Sequence, residues 1–386
     1  MWSEETGSKL TVRRDPLRVG IVGTGEAAQI MHLPSLRMLA VDFEVRTLCD
    51  ADLETAQRVA AEWGIADAVR DYQEILGRDD IDVVLVSCPD RFHAPVILDA
   101  LRAGKHVLAE KPMCLTVAEA DEILETLKQS GRRLQVGYVR TYASAFARAR
   151  TVVRALREIN LARVNTIIGA NELISRQTAR VVRGAGVAGP SASRDDTVAA
   201  TLSTACGVTL SDELVTANRL LLSLAIHDLS AMRELLGFPK DVIYARWFCG
   251  GEASEDYGFP IGRTLTAAFD YETFVCHLEC GVCAIPRFDA RIEVFSPDEI
   301  VQISFDTPFV RNLPVQLRVE QGDGTTGYRV CNHVPTWDDP FVEEWRAFKH
   351  AIEDDVEPAA SAAGARDDIA LIGSIMERLV HAEAAV

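Results

Sequence analysis

The chain is short of the residues that several large functional classes need. Basic side chains are outnumbered: Lys and Arg total 40 against 57 Asp and Glu, a formal charge of −17. No basic stripe or tail offsets this, which disfavours a nucleic acid or an anionic membrane as partner. Aromatics make up only 7% and form no stripe for stacking on bases. The richest apolar stretch, Leu220 to Ile226, is far too short to span a bilayer. Met1 to Pro16 mixes charge and polarity without the apolar segment of a secretory signal, and reads as a flexible leader. There is no G-x-x-x-x-G-K-[ST] phosphate loop and no internal repeat. The only biased stretch is the alanine-rich Pro358 to Ala365.

The nine cysteines are scattered over the whole length, so reduced thiols in a cytoplasm are expected. Cys276, Cys280 and Cys283 lie close together but among extended runs, with Gly281 expected as a hairpin turn. Their spacing assures no fourth ligand, so they read as small buried hydrophobes and no metal site is expected.

What is present points elsewhere. A chain of 386 residues with 48% hydrophobic content suits two domains with sizeable cores. Near its start, Leu17 to Val22 reads as an apolar strand running into Gly23-Thr24-Gly25-Glu26-Ala27-Ala28. In such a turn Gly23 allows the tight bend, Gly25 lets the backbone approach a pyrophosphate, and Ala28 keeps the next helix close to its strand. The helix N-terminus then offers unpaired N–H groups to the phosphates. A second strand, Val45 to Cys49, ends at Asp50, whose carboxylate can accept both ribose hydroxyls of an adenosine. A 2′-phosphate would face that carboxylate with no Arg or Lys directly after it, so NAD is favoured and NADP is the alternative.

Strand and helix signals alternate from 17 to 138: helix Leu53 to Trp63, strand Ile81 to Cys88, helix Phe92 to Ala103, strand His106 to Ala109, helix Val117 to Lys128, strand Leu134 to Tyr138. This is the pattern of a doubly wound parallel sheet, a Rossmann dinucleotide-binding domain over 17–138. Residues 139–386 form a second unit for substrate binding and oligomerisation. It has a strand at Ala162 to Ala170 and an irregular or helical piece at Glu172 to Arg183. A loop-like stretch follows from Gly184 to Asp196, then a long helix from Leu214 to Leu236. Six extended runs between Val242 and Val319 predict an antiparallel sheet, and Phe341 to Glu353 and Asp367 to Ala382 predict closing helices.

Three places carry candidate chemistry. Cys88-Pro89-Asp90-Arg91-Phe92-His93 follows one strand of the parallel sheet and Glu110-Lys111-Pro112 the next, both at the edge that faces the cofactor crevice. Lys111 can donate a hydrogen bond to a substrate oxygen and favour alkoxide character in a hydride-transfer transition state. On the long helix, Ser223, His227 and Ser230 share one face as a polar stripe on an apolar rod. The His227 imidazole is suited to take a hydroxyl proton.

The chain resembles the glucose–fructose oxidoreductase/inositol dehydrogenase group, the Gfo/Idh/MocA family of NAD(P)-dependent dehydrogenases. The resemblance rests on Gly20 to Ala28, Pro89 to His93, Ala103-Gly104-Lys105-His106-Val107-Leu108-Ala109-Glu110-Lys111-Pro112, and Ile226-His227-Asp228-Leu229 with Leu235-Leu236-Gly237. It implies a Rossmann domain followed by an α/β domain with a large, open-faced, mainly antiparallel sheet that often serves dimer or tetramer contacts. It also implies sugar or cyclitol substrates. Lys111 would stand beside the reacting carbon and His227 would transfer the proton, with Asp50 on the adenosine ribose and Pro89, His93 and Glu110 near the nicotinamide half. Arg140, Tyr142 and Ser223 would join Lys111 and His227 around the substrate.

Departures are specific. Ser223 stands where the family commonly has an aspartate, and Ser230 and Thr141 replace a further aspartate and an arginine. Asp228 is no replacement, because an adjacent helical residue points about 100° away. A serine can orient a histidine but cannot stabilise imidazolium as a carboxylate does. Either another acid comes in from a loop, with Asp195 or Asp196 in a candidate lid over 184–213 as its source, or the pocket binds its substrate differently. The reading is an NAD(H)-dependent sugar, glycoside or cyclitol dehydrogenase. Two alternatives stay open: an enzyme with tightly bound NAD that couples transient oxidation to elimination or glycoside cleavage, and a non-catalytic nucleotide sensor.

Overall fold

The structure is a computed structural model that describes residues 15–185, 196–250, 261–324, 327–333 and 337–384. Most of the expected leader and Asp195 lie outside the described residues. Leu17–Val22 (β1), Phe43–Cys49 (β2), Asp67–Val69 (β3), Val83–Val86 (β4), His106–Ala109 (β5) and Leu134–Val136 (β6) form a six-stranded sheet in the order β3-β2-β1-β4-β5-β6. Every pairing in it is parallel. All four residues of β4 are buried, as a strand covered by helices on both faces must be. Helix starts are set by side chains: Asp52 caps Leu53–Trp63, and Thr116 with Glu119 makes a capping box on Val117–Ser130. The strand order reverses between β1 and β4, which opens a crevice beyond their C-terminal ends.

Leu161–Gly169 (β7), Asp241–Cys249 (β8), Arg263–Asp270 (β9), Val275–Cys283 (β10), Phe288–Phe295 (β11), Glu299–Phe305 (β12), Gln316–Gly322 (β13) and Tyr328–His333 (β14) form the second sheet. Its order is β14-β13-β12-β11-β7-β10-β9-β8. Only β7 and β10 pair in parallel; the other neighbours are antiparallel. Helices Ser144–Ala155, Ile226–Leu236 and Ala362–Ala384 pack on one face. The other carries exposed Arg163, His277, Glu279 and Arg318, so the sheet is open-faced. The chain thus has the expected fold class: a Rossmann parallel sheet followed by a mainly antiparallel one.

Local differences have physical causes. Gly281 is not a hairpin turn. It sits inside β10, paired with Ile167 and Thr264, and Cys276 and Cys280 point from that strand into the core. The run from Leu214 to Leu236 is no single α-helix: Asp212–Leu220 is α-helical, Leu221–Ala225 widens into a π turn, and Ile226–Leu236 resumes. Only Glu172–Thr178 of the irregular piece is helical; residues 179–185 run extended or irregular to the first domain. Within the proposed lid, Asp196–Cys206 is a helix.

The helix Pro340–Glu353 returns to the first sheet, where Val342, Trp345 and Phe348 join Leu33, Leu36, Phe43 and Leu48 in one core cluster. Burying each such side chain stabilises by roughly 1.5–3 kcal/mol. This return puts a late segment of the chain against the back of the cofactor crevice.

Candidate active site

The glycine-rich turn is built by contact. Gly23 has φ +94°, and a Cβ there would fall 2.4 Å from the Cys88 nitrogen and 2.5 Å from the Ser87 oxygen. A Cβ on Gly25 would meet nothing within 4 Å. The first glycine is therefore required by packing, and the second faces open space over the helix start, as a pyrophosphate cradle needs. The Asp50 carboxylate reaches back to this turn. Its Oδ2 accepts from the Thr24 N–H at 2.9 Å and the Thr24 hydroxyl at 2.8 Å, and its Oδ1 accepts from the Asp52 N–H at 3.0 Å. Ala28 is fully buried, as close packing of helix on strand demands.

The helix after the turn begins as a π-helix, Ala27–His32, and becomes α only at Leu33–Met38. Pro34 lacks the N–H that an α ladder would need at that point, and the wider turn accommodates it. The widening carries His32 inward, where it is fully buried.

Residues 179–185 cross this same region. Val182 exchanges hydrogen bonds with the Gln29 side chain, Gly184 N–H donates to Thr55 Oγ1 at 2.6 Å, and Arg183 pairs with Glu26 at 2.8 Å. A segment of the second domain is thereby strapped over the dinucleotide loop.

At the C-terminal ends of β4 and β5, a cavity of about 350 Å³ opens. Glu26 and Ala27 form its rim on the nucleotide side, with Asp90, His93, Glu110 and Lys111 beside them. Arg140, Ser223 and His227 come from the second unit. The structure thus brings Lys111, His227, Glu110, His93, Arg140 and Ser223 together. Gly23, Thr24, Gly25, Ala28 and Asp50 belong to the adjoining turn and are not part of the cavity lining. Pro89 is exposed and does not line the cavity, and Tyr142 stands apart too, its hydroxyl accepting from the Ala360 N–H at 3.2 Å. Cys88 lines the cavity, but burial pushes its thiol up to about 12, so it is no thiolate nucleophile at neutral pH. Among the described residues no group of three or more His, Cys, Asp or Glu is placed to hold a metal.

Lys111 follows a buried strand and precedes a cis proline bond to Pro112. Its Nζ donates to the Ser223 carbonyl at 2.7 Å, a contact placed in the π turn Leu221–Ala225. Such turns recur where a helix must present a group to a site. The expected hydroxyl stripe works differently. Ser223 and Ser230 donate to the Arg219 and His227 carbonyls of their own helix, so neither orients the His227 ring. The ring is half-buried, and its Nδ1 has no hydrogen-bond partner among the described residues. Burial, then the charges of Lys111 and Arg140, holds its pKa well below the ordinary histidine range. It is a neutral base at the cavity wall.

Arg140 is anchored from behind. It pairs with the fully buried Asp228, which also accepts from Thr166 Oγ1 at 2.6 Å, and its guanidinium lies 4.5 Å from the Phe305 ring centre. Asp228 supports the arginine rather than the adjacent histidine, in keeping with the helical geometry. His93 is held between two carbonyls, Nδ1 at 2.6 Å from Pro112 O and Nε2 at 2.7 Å from Cys88 O. The ring thus bridges the two loops, a neutral imidazole donating its one N–H to one carbonyl at a time.

Sequence reading missed His32, Trp345 and the cavity wall over 305–315. Glu110 accepts at Oε1 from His32 at 2.9 Å, and the Trp345 indole N–H donates to the other side of that ring at 3.1 Å. Trp345 lies 313 residues from His32, a separation no local pattern reports. The wall, including Phe305, Pro308, Phe309 and Leu313, reads in sequence as an ordinary connection between strands.

Comparison with known proteins agrees with this geometry. Residues 17–138 match an oxidoreductase family with an NAD-binding Rossmann fold, Gfo/Idh/MocA. A D-glucoside 3-dehydrogenase from Escherichia coli is 32% identical over 60% of this chain and 57% of its own length. An inositol 2-dehydrogenase from Salmonella typhimurium is 30% identical over 36% of this chain and 41% of its own. The chain therefore aligns with only about half the length of these relatives. Among solved structures, a 3-ketoreductase from Actinomadura kijaniata in complex with NADP and TDP-benzene superposes with a TM-score of 0.71. That match covers 93% of this chain and 97% of the other at 19% identity, a likeness of fold. With the glycine-rich turn and the Glu110-Lys111-Pro112 loop in agreement, residues 17–138 belong to the Gfo/Idh/MocA oxidoreductase family with its NAD-binding Rossmann fold.

Proposed function

We propose that the protein is an NAD(H)-dependent oxidoreductase acting on a secondary alcohol, or the matching ketone, of a sugar, glycoside or cyclitol. The observation that carries this is the meeting of Lys111 and His227 at one cavity beside the glycine-rich turn. A bound nicotinamide would supply the hydride acceptor. The chain's own groups divide the remaining work. His227, neutral and lining the cavity, takes the hydroxyl proton. Lys111 holds the oxygen and favours its developing negative charge, and Arg140, fixed by Asp228, binds a neighbouring substrate oxygen. Asp50 and Thr24 would hold the adenosine side, with NAD preferred over NADP because the carboxylate repels a 2′-phosphate.

The named relatives support the substrate class, since two of them are a glucoside and an inositol dehydrogenase. The nine free cysteines favour a reducing, cytoplasmic compartment, and the open face of the second sheet is the proposed surface for a homodimer or homotetramer. The test is a fluorescence titration of nucleotide-stripped protein with NADH and NADPH, followed by a turnover screen over sugars, glycosides and cyclitols. Tighter NADH binding and net NADH production support the reading. Binding of neither nucleotide by folded protein refutes it.

The strap of residues 179–185 over the dinucleotide loop favours a second reading, in which NAD stays bound through transient oxidation followed by elimination or glycoside cleavage. Substrate turnover with no net NADH, and nucleotide that survives purification, would select it.

A further inference from the structure

Glu110 lines the cavity next to Lys111 and is nearly inaccessible. A carboxylate there is costly unless donors reach it. Two do. Its Oε2 accepts from the Lys111 backbone N–H at 3.2 Å, and its Oε1 faces His32 Nε2 at 2.9 Å. The direction of the second contact is fixed from behind. An indole N–H can only donate, so Trp345 Nε1, 3.1 Å from His32 Nδ1, makes that nitrogen the acceptor. The ring hydrogen must then sit on Nε2 and point at Glu110. Phe341 and Trp345 both meet the His32 ring edge-on, with centroids 5.8 and 5.9 Å away, so it cannot easily turn. We propose that Trp345 and His32 form a one-way hydrogen-bond relay that holds the Glu110 carboxylate in place beside Lys111, making His32 a positioning residue for the reaction.

This inference rests on the dehydrogenase reading for its kinetic consequence and on geometry alone for the relay. The charged and titratable groups around Glu110 are His32 on the first helix, Lys111 on its own loop, and Glu344 on the helix that carries Trp345. Behind Glu344 stand Asp339 and its partner Arg311. Burial pushes the Glu344 carboxyl well above the usual range, so it is neutral and adds no charge against Glu110. Burial also opposes charge on Glu110, while the His32 hydrogen bond, the Lys111 charge and the Lys111 backbone N–H favour it, and its pKa lies below the usual value. Removing the donor leaves burial unopposed on that side. The Glu110 pKa then rises, and the carboxylate is lost on acidification at a higher pH than in the wild type.

The experiment compares wild type, His32→Gln, His32→Leu and Trp345→Phe. Nitrogen-15 spectra of histidine-labelled protein at pH 8 should show wild-type His32 as the Nε2–H tautomer, assigned by its absence in His32→Gln, with that tautomer weakened in Trp345→Phe. In kcat/KM against pH, the acid limb of His32→Leu should move to higher pH. Each pH unit of that movement costs about ten-fold in rate on the acid side, and the rates should converge above pH 9. His32→Gln, whose amide can donate to Glu110 and accept from Trp345, should restore the limb. An Nδ1–H tautomer in the wild type overturns the relay whatever the activity, and so does an equal rate loss at all pH values in His32→Leu. If His32→Leu does not fold, the tautomer comparison decides. A wild type that turns over no sugar or cyclitol refutes the dehydrogenase reading while the tautomer still judges the relay.

Discussion

The Lys111 ammonium donates to the Ser223 carbonyl at 2.7 Å, linking a loop of the Rossmann sheet to the π turn of a helix 112 residues later. The contact joins the two units of the fold at the cavity. It also sets the lysine beside the helix that bears His227, so both side chains line one cavity.

Replacing Lys111 by Ala should therefore lower kcat/KM for alcohol oxidation by about 10²–10³-fold, the usual cost of removing one donor to a developing oxyanion. NADH affinity should change only a few-fold. Stopped-flow rates and fluorescence titrations on one preparation check this, and equal losses in both would place Lys111 in nucleotide binding instead.

His227 gives a signed pH prediction. Burial and the nearby charges of Lys111 and Arg140 lower its pKa in the folded protein, so the neutral base persists into mildly acidic solution. The His227 contribution to the acid limb of oxidation should fall below the ordinary histidine value of about 6.5. His227→Ala should lose about 10²–10⁴-fold in rate. Because the folded pKa is depressed, acidification through that range also favours the unfolded chain, which protonates more readily. His227→Gln should flatten that part of the stability profile. A full rate for His227→Ala at pH 7 would remove it as the base.

How much of this was legible in the sequence depends on how far each signal reaches. The turn at Gly23 and Gly25, Asp50 at the end of β2, and Lys111 after β5 are local patterns of strand, bend and charge, and the structure sets them around one crevice. His227 was visible as a polar residue on an apolar helix. The serines on its face were visible too, but their roles were not. A side-chain pattern does not reveal a π turn, so Ser223 acts through its carbonyl where its hydroxyl was expected to matter. Gly281 was misread because a glycine among extended runs signals a turn or a close strand contact equally well. Tertiary pairing, absent from sequence, chose the second. His32 and Trp345 could be related only by folding the last helices back onto the first.

Gly184 tests the strap. A Cβ there would fall 2.1 Å from Asp52 Oδ2, while the Gly184 N–H donates to Thr55. Gly184→Ala must displace either the strap or the Asp52 cap, at a cost of about 1–3 kcal/mol where neither relaxes. Thermal melts should show a lower Tm, and NADH should restore less of it than in the wild type if the strap contributes to the nucleotide site. A normal Tm with normal NADH stabilisation would mean the segment yields freely.

Asp228 and Arg140 provide the sharpest stability test, because the carboxylate is fully buried and the guanidinium nearly so. The pair as a whole adds little net stability, since the desolvation of two charges offsets their attraction. Removing one member is a different matter. Asp228→Ala leaves Arg140 buried against Phe305 without its anion and deprives the Thr166 hydroxyl of its acceptor, so a loss of about 3–5 kcal/mol is expected. Asp228→Asn keeps an acceptor oxygen for both donors and should lose less. If Arg140 also binds substrate, Asp228→Asn should raise KM more than it lowers kcat, since the arginine stays charged but is less firmly aimed. Urea denaturation gives the first quantity and steady-state kinetics the second. An Asp228→Ala protein as stable as the wild type would mean that Arg140 finds water or another anion, and that its aim into the cavity does not depend on Asp228.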